Sequence, residues 1–280
     1  GRGMTGADWT ETTLRAIGAA GDAGPGGLIK GALALAKRGL PDADVAPYRA
    51  HIDDLAGMTA RALARRDHVI ARRDALHAAL VAANGYRGDV ADYDNLDNAN
   101  LMRVIDRRRG LPVALGILYI GVGRALGWQI AGLGFPGHFL IQIDHAGERR
   151  ILDPFDNLRC LTAPELRDLL KRVAGRDAEL RSEHYAPVVD RDVLLRLEAN
   201  RRLRLMAQGR IDGALDVLAG MLMVAPDAAD LWRESGVLHA QVGDLPAAVT
   251  ALENALHLGR DPATRQAAAD LLDQIRAQLN

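Results

Sequence analysis

The sequence predicts an α+β protein: a helical N-terminal part, a core in which one central helix packs on a small antiparallel sheet, and an all-α tail of helical hairpins. Three observations carry that prediction. Residues 111–123 form an uncharged run of thirteen, short β-type runs follow it, and beyond residue 187 small residues return at an interval of 34. A helix apolar on all sides has to be enclosed, short alternating runs read as strands, and a 34-residue period is that of stacked tetratricopeptide helix pairs.

The first 27 residues read as a poorly ordered lead-in. "GRG" ahead of Met4 has the look of a cloning scar, and residues 18–27 are rich in Gly and Ala with little to bury. From residue 28 to 110 the pattern is helical. Leu28, Ala32, Leu35 and Ala36 recur at helical spacing, Pro41 interrupts, and Ile52, Leu55, Met58, Leu63, Val69, Leu76 and Leu80 resume the pattern until Gly85. "DVADYDNLDNAN" is a polar loop in which Asn98 or Asn100 can cap a short helix ending at Asp106. Pro112 falls in the first turn of the central helix, where its missing N–H costs nothing. Ala114, Gly116, Gly121 and Gly123 on several faces of that helix leave room for close neighbours.

Strands are expected over 129–133, 138–143 and 150–153. "DHAG" between the last two has Asp at the first and Gly at the fourth place of a type I turn. Pairing centred between His145 and Ala146 sets His138 opposite Asp153, and opposed Cβ atoms lie about 4.5–5.5 Å apart. A bulge at Gly147 would slip the register by one and set Asp153 opposite Phe139. Turn chemistry favours the first register.

In the tail, Gly209 and Gly243, Ala214 and Ala248, and Leu218 and Leu252 are each 34 apart. "LWRESGVLHAQVGDLPAAVTALENAL" fits a tetratricopeptide repeat, a weaker one precedes it over 195–228, and an amphipathic helix over 262–279 covers the end of the stack. The expected division is a core domain over 28–186 and a repeat domain over 187–280.

Composition limits function. Lys+Arg 35 against Asp+Glu 36 give a formal net charge of -1, which supports neither a nucleic-acid partner nor a membrane surface. The uncharged run of thirteen is too short to cross a bilayer. Cys160 is the only cysteine, so an intramolecular disulfide and a thiolate zinc cluster are excluded, and one thiol without a secretory signal fits the cytoplasm.

"NLMRVIDRRRGLPVALGILYIGVGRALGWQIAGLGFPGHFLIQI" and "ILDPF" resemble the SirB1 family, a branch of the transglutaminase-like superfamily, and "ALALAKRGLPDADVAPYRAHIDDLA" and the repeat tail extend the resemblance over most of the chain. The resemblance implies a papain/transglutaminase-like core. In active relatives of the wider superfamily a Cys at the start of the central helix is the acyl-transfer nucleophile, a His on the second strand is its base and an Asp on the third orients the His. On this chain the His place matches His138 and the Asp place matches Asp153, but the Cys place is Pro112. Cys160 lies beyond the third strand, and no Ser or Thr stands between residues 60 and 161; Thr162 and Ser182 come next.

The other motifs read as structural. "DYDNLDNAN" departs from a calcium loop, with Leu96 at the fifth place and Arg103 at the twelfth. Of the family's pattern for this loop only Tyr93 and Asn98 follow. Arg107 to Arg109 could clamp an anion, but basic residues at a helix end also suit its dipole. His51, His68, His77, His145, His184, His239 and His257 lack ligand spacing, so no metal and no cofactor is expected. Trp232 reads as packing within its repeat, whereas Arg201, Arg204, Arg233 and Gln241 are expected to be exposed on the repeat groove. The reading that follows is a non-catalytic protein that binds a protein or peptide partner through its core and repeats, a pseudoenzyme. The alternative is a hydrolase or acyltransferase acting on peptide or amide bonds with the His138–Asp153 pair and an unusual nucleophile or an activated water.

Overall fold

The computed structural model describes residues 6–279, and their side chains from 9 to 277. The reading of residues 1–3 as a scar lies outside that span. The chain begins with helices α1 (Gly6–Ala20), α2 (Gly27–Arg38), α3 (Ala46–Leu63) and α4 (Val69–Leu76), the last running on into a π-helical turn over His77–Ala83. Residues 6–20, expected to be poorly ordered, are helical because Leu14 and Ile17 share one face and bury it in the main core. Gly18 brings α1 so close to helix α9 (Ile211–Val224) that an added Cβ would stand 2.2 Å from the Met223 carbonyl oxygen.

A short parallel pair, β1 (Arg87–Gly88) with β2 (Arg109–Gly110), brackets the polar loop and helix α5 (Leu101–Arg107). Asn100, the second of the two expected caps, accepts from the N–H groups of Met102 and Arg103 while its own amide donates to Ala36 at the end of α2.

Helix α6 (Pro112–Ala125) is the central one, with every residue from Pro112 to Ile120 buried. Its glycines admit different neighbours: Gly116 faces the Phe139 ring, Gly121 faces Ile29 of α2 and Gly123 faces Ile130. At Gly116 a Cβ would lie 2.4 Å from Phe139, whose far edge is already wedged against Gly132. Gly116→Ala is therefore expected to destabilise by about 1–3 kcal/mol, outweighing a gain in helix propensity of about 1 kcal/mol. Chemical denaturation measures this, and a neutral or stabilising result would mean that the ring has room to move.

The sheet runs β3 (Gln129–Gly132), β4 (Ile141–His145), β5 (Glu148–Asp153) and β6 (Arg159–Cys160), antiparallel and in that order. Both expected registers of the β4–β5 hairpin are corrected. Ile141 pairs with Leu152 and His145 with Glu148, so the pairing centres on Ala146–Gly147. Both turn residues have positive φ, 50° and 81°, the pattern of a two-residue I′ turn whose twist suits a hairpin better than type I. Phe139, Ile141 and Ile143 meet the main core, while Leu140 faces a second cluster with Leu166 and Leu170 of helix α7 (Ala163–Ala174). A Thr162–Glu165 capping box starts that helix.

The tail comprises α8 (Asp190–Ala207), the α9 already placed, α10 (Ala229–Gln241), α11 (Leu245–Leu258) and α12 (Pro262–Leu279), paired in sequence as stacked hairpins. It is fused to the rest. Val193, Leu194 and Leu197 of α8 and Val224 of α9 join the main core, and Arg38 of α2 pairs with Asp216 of α9 at 2.6 Å. No helix among the described residues is long and apolar enough to cross a membrane.

Candidate functional site

The wedge that holds Phe139 also fixes its neighbour. His138 lies in the turn before β4, after Gly137 at φ 71°. In the observed register Asp153 falls opposite Leu140, two residues from His138, and such diagonal neighbours remain within side-chain reach. His138 Nε2 lies 2.9 Å from Asp153 Oδ1. The same oxygen accepts from the backbone N–H groups of Phe155 (2.9 Å) and Asp156 (3.3 Å), so the carboxylate is aimed before the ring reaches it. An acceptor oxygen requires the proton on Nε2, which leaves Nδ1 as the lone-pair nitrogen of the neutral ring. That is the tautomer a general base needs.

Pro112 and His138 line one cavity of about 40 Å³, together with Tyr93, Leu111, Val113, Gly137, Phe139, Arg196 and Asn200. Space of that size holds a group of a few heavy atoms. Pro112 contributes no nucleophile to it. α6 begins there with no side-chain cap, so among the described residues its first-turn N–H groups meet no side-chain acceptor.

Two walls come from elsewhere in the chain. The polar loop is pinned from inside: Arg107 donates to Asp89 and to Asn98 at 2.9 Å each, and Asn98 donates to the Asp92 carbonyl at 2.7 Å. Burial pushes the Asp89 carboxyl up, but hydrogen bonds from Asp92 N–H, Asn98 and Arg107 prevail and hold it below its ordinary value. The loop so fixed presents Tyr93 edge-on to Phe155, with ring centres 5.7 Å apart, and Phe155 in turn stands perpendicular to the His138 ring at 6.3 Å. Gly88 makes this possible, since any Cβ there would meet the Phe155 ring at 2.4 Å. The other wall is α8. Arg196 stacks over Phe139 at 5.4 Å and donates to the Phe135 carbonyl at 2.9 Å, and Asn200 follows one turn later. A cavity of about 490 Å³ lies apart from these groups, between the start of α2, α3 and the end of α6.

The structure thus brings His138, Asp153 and Pro112 together, as their places in the motif implied. It does not do so for the groove residues. Arg201 is 12% exposed and holds Glu198, itself 2% exposed, through two contacts of 3.1 Å. Arg204 is 11% exposed and donates to Asn200 and to the Tyr93 carbonyl. Both were expected on an open groove and are instead packing residues, because the core domain fills the inner face of α8. Arg233 is half-buried and Gln241 exposed, both on α10 and away from the cavity. Trp232 donates to the Pro226 carbonyl at 2.9 Å, as a packing residue would. Arg107 serves the Asp89 pair, and Arg108 stacks on Tyr86 at 4.8 Å, so neither clamps an outside anion. Cys160, on β6, is not among the residues lining the cavity. Arg196 and Asn200 were missed from sequence. They lie 58 and 62 residues beyond His138, in what reads as an ordinary repeat helix.

Comparison with known proteins agrees with this architecture. The model of the transglutaminase-like superfamily matches residues 46–199, and a tetratricopeptide repeat model matches 202–280. A UPF0162 protein of Vibrio cholerae is 30% identical over 216 residues, 77% of this chain and 80% of that protein. One from Xylella fastidiosa strain Temecula1 is 30% identical over 177 residues, 62% of this chain, and the chain spans 63% of its length. F-box only protein 21 of Mus musculus is 35% identical over 83 residues, 30% of this chain and 13% of that protein.

Proposed function

The chain belongs to the transglutaminase-like superfamily, and from that premise we propose that it is a non-catalytic member that binds a protein or peptide partner through its core and its tetratricopeptide tail. One observation carries the reading: across the cavity from an oriented His138 stands Pro112, at the helix start where acyl transfer needs a thiol. Tetratricopeptide repeats generally mediate protein interactions, and the repeats here are welded to the core by α8. The unit offered to a partner is then the two together, in the cytoplasm, without nucleic acid or membrane.

The second reading, a hydrolase or acyltransferase acting on peptide or amide bonds, is favoured by the 2.9 Å His138–Asp153 contact, which has the tautomer a base would use on a water or an unusual nucleophile. A screen of peptide and amide substrates separates the two. The binding reading expects no turnover that depends on His138. Turnover lost in His138→Ala and kept in Cys160→Ala would overturn it.

A further inference from the structure

We propose that the His138–Arg196 cavity is a carboxylate-binding site that receives the C-terminal carboxylate of a peptide, which deepens the binding reading above and rests on it. Three features of the cavity favour an anion. Arg196 is largely buried, and among the described residues its guanidinium has no carboxylate partner; burial pushes its pKa below the ordinary value. The Phe135 carbonyl takes one of its five N–H donors, while Nε and Nη2 meet no acceptor among the described residues. The uncapped first turn of α6 adds positive partial charge from a second side. His138 lines the cavity from a third side, and its own carboxylate, Asp153, is already shared with two backbone N–H groups. None of the nine described residues that line the cavity is acidic. The place a thiolate would occupy in an active relative is therefore lined by donors and, among the described residues, by no carboxylate.

Size and shape choose the anion. About 40 Å³ accommodates a planar carboxylate more readily than a tetrahedral phosphate, and the flat guanidinium fork matches two carboxylate oxygens. The surroundings choose what the carboxylate is attached to. Tyr93, 43% exposed, stands at the cavity, and Leu203, 58% exposed, lies seven residues beyond Arg196 on the same face of α8. An apolar residue next to a chain terminus has both to rest on.

The test uses the full chain and three probes: N-acetyl-leucine, N-acetyl-leucinamide and acetate, titrated while the His138 imidazole and Arg196 Nε–H signals are followed by NMR. The expected result is a saturable shift of both signals with N-acetyl-leucine at a Kd of about 1 mM or tighter. N-acetyl-leucinamide should bind at least tenfold more weakly, as should N-acetyl-leucine to Arg196→Gln. If Arg196→Gln does not fold, the contrast between acid and amide on the unaltered chain decides. No saturation, or equal binding of acid and amide, overturns the site. Acetate binding as tightly as N-acetyl-leucine overturns the peptide assignment in favour of a small free carboxylate. These failures would leave the non-catalytic reading standing, because that falls only on His138-dependent turnover.

Discussion

Replacing Arg201 by Ala is expected to destabilise the protein by about 3–5 kcal/mol, the cost of leaving a buried charge without its partner. Glu198 is 2% exposed, and its carboxyl is pushed up by burial while Arg201 pulls it back down. Without the guanidinium, Glu198 is left to protonate or to open the contact between α8 and α2. The pH dependence has a definite sign. A carboxyl whose folded pKa is raised binds its proton more tightly in the folded state, so stability is greatest below the unfolded value, about 4.3, and falls as pH rises through the folded one. Urea unfolding at pH 5 and pH 8 should therefore show a larger Arg201→Ala deficit at pH 8. The paired replacement Glu198→Leu with Arg201→Met should recover most of the loss. Substitutions at Gln241, exposed on α10, should stay within about 0.5 kcal/mol. A small effect at Arg201 would restore it to the open groove where repeat logic put it.

That contrast marks where the sequence was legible. The uncharged run of the central helix announces its own burial, and the 34-residue period sets the hairpins in order whatever they pack on. The candidate residues His138, Asp153 and Pro112 stand out through their place in a motif, although the register expected to pair the first two differs from the observed one. The hairpin turn hid because Ala146 at positive φ is a conformation that alanine does not advertise; only Gly147 signals it. Helix α1 hid behind the Gly/Ala-rich stretch after it, although Leu14 and Ile17 are one turn apart and give an apolar face. The environment of α8 was not legible at all. Arg196, Arg201 and Arg204 are similar residues on one helix, yet one lines the cavity, one holds a buried glutamate and one braces the polar loop. Which does which depends on contacts with α2, α6, the polar loop and the segment before β4 that lie tens of residues away, and local periodicity carries no information about those.

Pro112→Cys in a Cys160→Ala background is expected to fold and to acquire an unusually reactive thiol. Folding follows from position. Proline at the first helical residue has no hydrogen bond to lose, a cysteine N–H there is one of the unpaired donors of any helix start, and Leu111 before it is extended with ψ 161°. Removing the ring costs about 0.4–1 kcal/mol through the unfolded chain. Reactivity follows from the cavity. The new sulfur would share about 40 Å³ with His138 and Arg196 at the uncapped start of α6, each of which favours a thiolate. An unperturbed thiol of pKa about 8.5 is roughly 0.3% ionised at pH 6, and one brought below 6 is more than half ionised; the more acidic thiolate is a weaker nucleophile, so alkylation by iodoacetamide at pH 6 should be about tenfold faster. Adding His138→Ala should remove most of that gain. An ordinary alkylation rate in a folded variant would mean that the cavity has lost the electrostatics of a thiolate site along with its cysteine, and with them the ground for an anion there. A fast rate that His138→Ala abolishes would mean that the base, its orienting carboxylate and the helix start remain in working register, and that one residue at the head of α6 separates this chain from a reactive site.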